Sequence, residues 1–353
     1  MNARILIYGA YGYTGELMVR EAARRRLDIV IAGRSAAKLR PLADELNLEY
    51  RAFDVQQAAS SIQGIGVVLN CAGPFSSTAQ ALVNACLAAG VHYVDITGEV
   101  PVFQACHQLD ERAREAGIIL CPGAGFDIVP TDCLAASLKD RLPEATRIDL
   151  AFSFGTRPSV GTIKTLVEGI EMGGLVRRGH QLKTVANAYR IRRIPFRDRS
   201  RWGVTIPWAD VYTAGISTNT PDGMVYTALP LSLGILMRLT SPFRGALTLP
   251  RVQRWLMRLA EKIFPGGPDE TQRAVHRTQF WGEAVAADGR KVAMTFSAPS
   301  VYTLTVETAL AISSHCIGSQ ARGYYTPSML MGKGFLASLP GVETADSRPA
   351  CDT

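Results

Sequence analysis

Three glycines, Gly9, Gly12 and Gly15, with Ala10, Tyr11, Tyr13 and Thr14 between them, carry the clearest chemistry in this chain. A strand that breaks into glycines and continues as a helix turns bare backbone N–H groups and the positive helix end toward an anion. The first glycine permits the tight turn, the second lets a pyrophosphate approach the backbone, and the third lets helix and strand pack closely. The spacing G-x-x-G-x-x-G means a dinucleotide site only if a strand precedes it and a helix follows.

A second group, Arg34, Ser35 and Lys38, follows Ala32-Gly33. Where an NAD site places an acid for the ribose 2′-hydroxyl, this chain offers two cations and a hydroxyl, which suit a 2′-phosphate. The cofactor expected is therefore NADP. Asp54 and Val55 fall where an adenine lies against the sheet edge, and Cys71, Ala72, Gly73, Pro74 and Phe75 offer bare backbone beside the cofactor. A nicotinamide supplies hydride, so the protein's task is alignment and a proton. Asp127 and Glu99 are the carboxylates placed for that proton, although each also reads as a helix cap or loop anchor.

The elements that must position these groups alternate regularly. Strands are expected at Arg4–Tyr8, Asp28–Ala32, Glu49–Phe53, Val67–Asn70, His92–Asp95 and Ile118–Leu120. Helices are expected at Glu16–Arg26, Ala36–Leu46, Thr78–Ala89 and Gln104–Ala116. Such βα alternation predicts an α/β Rossmann domain over residues 1–130, a doubly wound parallel sheet. Past Pro130 the pattern changes. A helix Thr131–Leu142, a strand Arg147–Phe154, a helix Thr162–Met172 and strands Gln279–Ala286 and Val292–Ser297 around Asp288-Gly289 predict a second domain. It reads as an α+β substrate domain on a mainly antiparallel sheet, over residues 131–322.

Several classes are disfavoured. Met1-Asn2-Ala3 runs into the first strand, leaving no room for a signal peptide, and no apolar run reaches membrane-span length. Seven scattered cysteines without a C-x-x-C pair point to a reducing cytoplasm and no metal site. His92, His107, His180, His276 and His315 form no pair of metal or triad spacing. Neither a G-x-S-x-G elbow nor a Tyr-x-x-x-Lys dyad is present. Arg177–Arg201 carries nine Lys or Arg against Asp198 alone. It reads either as a solvated face or as a surface for an acidic partner such as a phosphopantetheine carrier, a CoA ester or a lipid headgroup. Nucleic acid is not expected, since no binding module accompanies the run. Met224–Phe264, apolar and basic together, reads as an interfacial segment with peripheral membrane contact or a lid over a greasy substrate, as a buried helical pair, or as a homodimer contact.

The residues also resemble a family. Gly9–Gly15, Ala32-Gly33-Arg34, Asn70–Phe75, Tyr93-Val94-Asp95, Thr97-Gly98-Glu99, Pro122–Asp127 and Pro130-Thr131-Asp132 look like the saccharopine dehydrogenase-like oxidoreductases, especially the trans-acting enoyl reductases. Gly161-Thr162, Gly323–Pro327 and Gly332 extend the likeness. The resemblance implies a substrate domain beside the Rossmann domain with a cleft over the nicotinamide. It also implies that a C-terminal segment, residues 323–353 with a helix from about Thr326, returns to the first domain. The implied reaction is NADPH-dependent reduction of a polarised C=C bond in a small, acyl or carrier-bound substrate, such as an enoyl thioester. An imine of the saccharopine type, or an NADPH-binding module without turnover that docks on a membrane, are the alternatives.

Overall fold

The computed structural model describes residues 4–154, 173–243, 252 and 276–345. The expected helix at 162–172, the Gly161-Thr162 motif, and residues 244–251 and 253–264 of the apolar and basic stretch lie outside the described residues. The chain divides into two compact units, one of residues 1–129 with 302–332 and the other of 130–301 with 333–353.

In the first unit, runs four or five residues long, apolar except for Asn70, His92 and Asp95, form strands buried on both faces, as a parallel sheet covered by helices requires. These are β1 (Ile5–Tyr8), β2 (Ile29–Gly33), β4 (Val67–Asn70) and β5 (His92–Asp95), with β3 (Glu49–Ala52) at one edge and β6 (Ile119–Cys121) toward the other. Their spatial order is 3-2-1-4-5-6, all parallel. The order reverses between β1 and β4, and ligands of such sheets bind in the crevice at that point. A seventh strand, β15 (Gly323–Tyr324), pairs in parallel with β6. Helices α1 (Tyr13–Arg24), α2 (Ala36–Leu46), α4 (Phe75–Ala89), α5 (Val100–Gln108) and α6 (Asp110–Glu115) join the strands, with a short turn, α3 (Ala58–Ser61), before β4. The helix expected at 104–116 starts earlier and is broken at Leu109, with no glycine or proline to announce the break.

The described residues of the second unit form a nine-stranded sheet with helices beside it. Its order is β10 (Ile191–Pro195), β11 (Ser200–Thr205), β12 (Asp222–Ala228), β7 (Ala145–Ser153), β13 (Thr278–Ala286), β14 (Lys291–Ala298) and β16 (Glu343–Ala345). A hairpin of β8 (Gly174–Arg178) and β9 (Gln181–Val185) joins at β12. Among the described residues only β12 and β7 run parallel; the other pairs are antiparallel. Helix α7 (Val129–Arg141) lies on the sheet at Gly282, where a Cβ would come within 2.7 Å of Leu138 and 3.0 Å of Leu134. Helices α8 (Asp210–Thr218) and α9 (Leu231–Thr240) also belong to this unit. The long helix α10 (Val301–Gly318) carries the chain back to the first unit, ahead of the short α11 (Pro327–Met331).

The basic stretch 177–201 is largely sheet rather than loop. The buried Arg177 donates from Nε to Thr220 O at 2.9 Å and reaches Gly215 O, so it caps the end of α8. Arg192 pairs with Glu283 at 3.3 Å and lies over Trp281, Arg193 lies over Trp202, and Arg201 grips Asp198. These cations have intramolecular partners, which removes much of the argument for an acidic partner there.

Candidate functional site

The turn after β1 has the geometry an anion needs. Gly9 lies at φ +86°, and a Cβ on it would sit 2.8 Å from Ala72 N, so only glycine fits between the first and fourth strands. Gly15 is closed by its neighbours: its Cβ would meet Gly9 O at 2.2 Å. Gly12 is different. Its φ of −76° suits any residue, and a Cβ there would meet only Gly9 O at 3.2 Å. The space over Gly12 is therefore open, and α1 begins there with no side chain capping its first-turn N–H groups. An open face and an uncapped helix start together make an anion cradle. Tyr13 packs edge-to-face on Tyr302 of α10 at 5.0 Å, while Thr14 stays half-buried in the first turn of α1.

At the end of β2, Arg34 is exposed and makes no ion pair among the described residues. Tyr11 lies across Gly33, where a Cβ would meet its ring at 2.6 Å. The Lys38 ammonium stands over that ring, 5.5 Å from its centre. Ser35 starts α2 without capping it, leaving its hydroxyl uncommitted to the helix. Two cations, a hydroxyl and an aromatic face thus gather on one loop, which fits a phosphorylated ribose. Asp54 caps the turn Val55–Gln57 by accepting from Gln56 N at 3.2 Å, and Tyr8 donates to Phe53 O at 3.1 Å. These contacts fix the loop where an adenine edge would rest.

The loops after β4, β5 and β6 are wired together by a chain that the sequence did not reveal. Asn70 accepts from Ala72 N at 3.0 Å and donates to Thr78 and to the Tyr93 hydroxyl. Tyr93 donates to Asp95 Oδ2 at 2.8 Å, and Asp95 Oδ1 accepts from Thr97 N and Gly123 N. Burial pushes the Asp95 carboxyl up to about 6 against the pull of these donors. Partners 23 and 28 residues apart carry no local signal, although Asn70 and Asp95 each end a strand. The chain holds Cys71, Ala72, Gly73, Pro74 and Phe75 in one shape, with a cis peptide between Gly73 and Pro74.

The two carboxylates separate in role. Glu99 accepts from Phe75 N and Ser76 N, both at 2.8 Å, so it anchors the first turn of α4. Asp127 follows β6, and no hydrogen bond or ion pair among the described residues holds its carboxyl. Burial raises it to about 7. Its loop is fixed instead by Phe126 N donating to Thr305 of α10 at 3.0 Å. Among the described residues no cluster of three His, Cys, Asp or Glu is placed to hold a metal.

Comparisons with known proteins follow the same lines. The saccharopine dehydrogenase NADP binding domain model matches residues 5–121. The chain is 26% identical over 231 residues to the rat saccharopine dehydrogenase-like oxidoreductase, covering 57% of this chain and 53% of the relative. It is 25% identical over 291 residues to a Caenorhabditis elegans lipid droplet localized protein, covering 72% and 67%. A Mycobacterium tuberculosis protein named as a trans-acting enoyl reductase is 31% identical over 183 residues, covering 46% and 43%. The chain thus spans about half the length of most of these relatives. In fold it is similar to apo saccharopine dehydrogenase (L-Glu forming) from Saccharomyces cerevisiae, with TM-score 0.64 over 98% of this chain and 99% of that one, at 9% identity. With the 3-2-1-4-5-6 sheet, the glycine turn and the acid-free end of β2 already in place, the first unit has the strand order and turn that go with its match, over residues 5–121, to the saccharopine dehydrogenase NADP binding domain.

Proposed function

We propose that this protein is an NADPH-dependent reductase of a polarised C=C bond, with an enoyl thioester or related conjugated alkene as substrate. The observation that carries the reading is the place of Asp127, in the loop after β6 with no hydrogen bond or ion pair among the described residues on its carboxyl, which burial pushes up to about 7. It stands after β6, on the half of the sheet where a nicotinamide lies. NADPH held by the glycine turn and the Arg34 loop would supply the hydride for the electron-poor carbon. Asp127 then delivers a proton to the adjacent carbon, and an acid with its pKa near the working pH suits that task. Glu99 and the Asn70–Tyr93–Asp95 chain hold the backbone in place. The enoyl reductase name of the mycobacterial relative favours the alkene over an imine. NADPH oxidation measured against panels of enoyl thioesters and cyclic imines tests this reading. Turnover confined to imines would reverse the choice.

Cofactor preference has its own test. Arg34→Asp is expected to weaken NADPH binding by about 1.5–3 kcal/mol, the worth of a charge-assisted contact, and to leave NADH binding level or improved. Titration of cofactor fluorescence reads both affinities, and equal losses would remove Arg34 from the 2′-phosphate site.

A lipid-surface setting is favoured by one further observation. Helix α9 exposes Leu233, Ile235, Leu236 and Leu239 at 41, 46, 55 and 68%, and Arg238 stands in its last turn. A relative bears the name lipid droplet localized protein. Replacing Leu233, Ile235 and Leu236 with serine should cut binding to anionic vesicles in flotation assays by at least about tenfold. Each side chain inserted into lipid contributes ~1.5 kcal/mol or more. NADPH affinity should not change. A variant that floats like wild type would show that α9 does not face lipid.

A further inference from the structure

Helices α4 and α5 leave a groove of about 190 Å³ between them. Phe75, Ala79 and Val83 form one wall, and Val102, Ala105 and Leu109 form the other. Ser76 and Gln80, both exposed, are polar residues on its rim, and no charged residue lines it. Small side chains create the gap, since Ala79 and Ala105 stand where larger residues would close it. Glu99 keeps the helix starts fixed, because it lies at the start of α5 and holds the first N–H groups of α4.

An apolar cavity of about 150 Å³ stays dry and takes up a molecule the size of benzene. A groove somewhat larger accommodates an unbranched chain of about eight carbons. Both helices begin at the carboxyl edge of the parallel sheet, the edge that carries the glycine turn. Phe75 ends the Cys71–Phe75 loop and also heads the groove, so the groove is continuous with the surface assigned above to the cofactor. We infer that the groove between α4 and α5 holds the aliphatic chain of the substrate. The reacting carbons then lie at the loop and the tail lies between the helices. This rests on the acyl reading of the substrate, and it adds a chain-length rule to it.

Saturated alkanoyl thioesters of pantetheine, four to twelve carbons long, test the groove without turnover. Wild-type affinity, measured by calorimetry with NADPH bound, should rise about fourfold per methylene and level off near eight carbons. Ala105→Phe fills the half-buried middle of the groove. It should flatten the series so that the eight-carbon ester binds no better than the four-carbon one, a loss on the order of 100-fold. NADPH affinity should stay within twofold and report that the unit is folded. If Ala105→Phe loses NADPH binding, Gln80→Trp at the exposed rim should block the tail in its place. A flat wild-type series, or an unchanged series in folded Ala105→Phe, overturns the inference. So does a change confined to the sedimentation of the variant, which would give the groove to a second copy of the chain. Absence of turnover on every enoyl ester, with the chain-length rule intact, would instead strike the reductase reading alone.

Discussion

Asp127→Asn should lower kcat/KM for the conjugated substrate by about 10²–10⁴-fold, the usual worth of a general acid, while NADPH binds as tightly as before. The pH profile distinguishes this from simple disruption. In the wild type, kcat/KM should be level at low pH and fall as the carboxyl ionises near 7. The asparagine variant should lack that limb. Stability gives a second readout with a definite sign. An aspartate in the unfolded chain ionises near 3.9, whereas the folded group keeps its proton to about 7. Between these values the folded state binds more protons, so the Asp127 contribution is complete below the lower value and is lost as pH rises through the upper one. Melting of the two proteins at pH 5 and pH 8 should therefore shift in favour of the asparagine variant at the higher pH. An Asp127→Asn enzyme with wild-type rate and profile would place the proton elsewhere.

Gly12→Ala should reduce NADPH affinity on the order of 100-fold with little change in melting temperature. The backbone there is already at φ −76°, and the added methyl meets only Gly9 O at 3.2 Å, a contact the turn can relieve. The methyl instead occupies the space where a pyrophosphate would approach. Gly15→Ala is the control. Its methyl would lie 2.2 Å from Gly9 O, so that variant should melt lower even without cofactor. If Gly12→Ala binds NADPH like wild type, the open face of the turn is not the phosphate site.

What the sequence disclosed follows from how local each cause is. The glycine turn, the cations after β2 and the hairpin at Asp288-Gly289 are set by residues within a few positions of one another. Their backbone needs can be read directly. The strands between 174 and 205 were hidden because adjacent arginines, Arg177-Arg178 and Arg192-Arg193, break the alternation an apolar pattern would need. Arg192 and Arg193 lay their guanidinium groups over Trp281 and Trp202, which satisfies packing while reading as charge. The Asn70–Tyr93–Asp95 chain and the anchoring of Glu99 depend on strand order, which no single segment states. Helix α10 carries β-branched and apolar residues on all sides, so no stripe marks it as a helix in the sequence, and nothing within it says which unit it joins.

The two-residue strand β15 also bears on how the first unit is made. Gly323 N donates to Ile118 O, Tyr324 N donates to Asp110, and the Tyr324 ring stacks on His107 at 4.7 Å. During synthesis about two hundred residues separate β6 from the strand that covers its edge. Until they emerge, the nascent sheet carries an unpaired row of backbone groups, the kind of template that recruits foreign strands. A ribosome-bound chain must therefore keep that edge guarded while the second unit is being made. A gene fragment that stops at residue 129 would express a sheet with the same edge permanently bare.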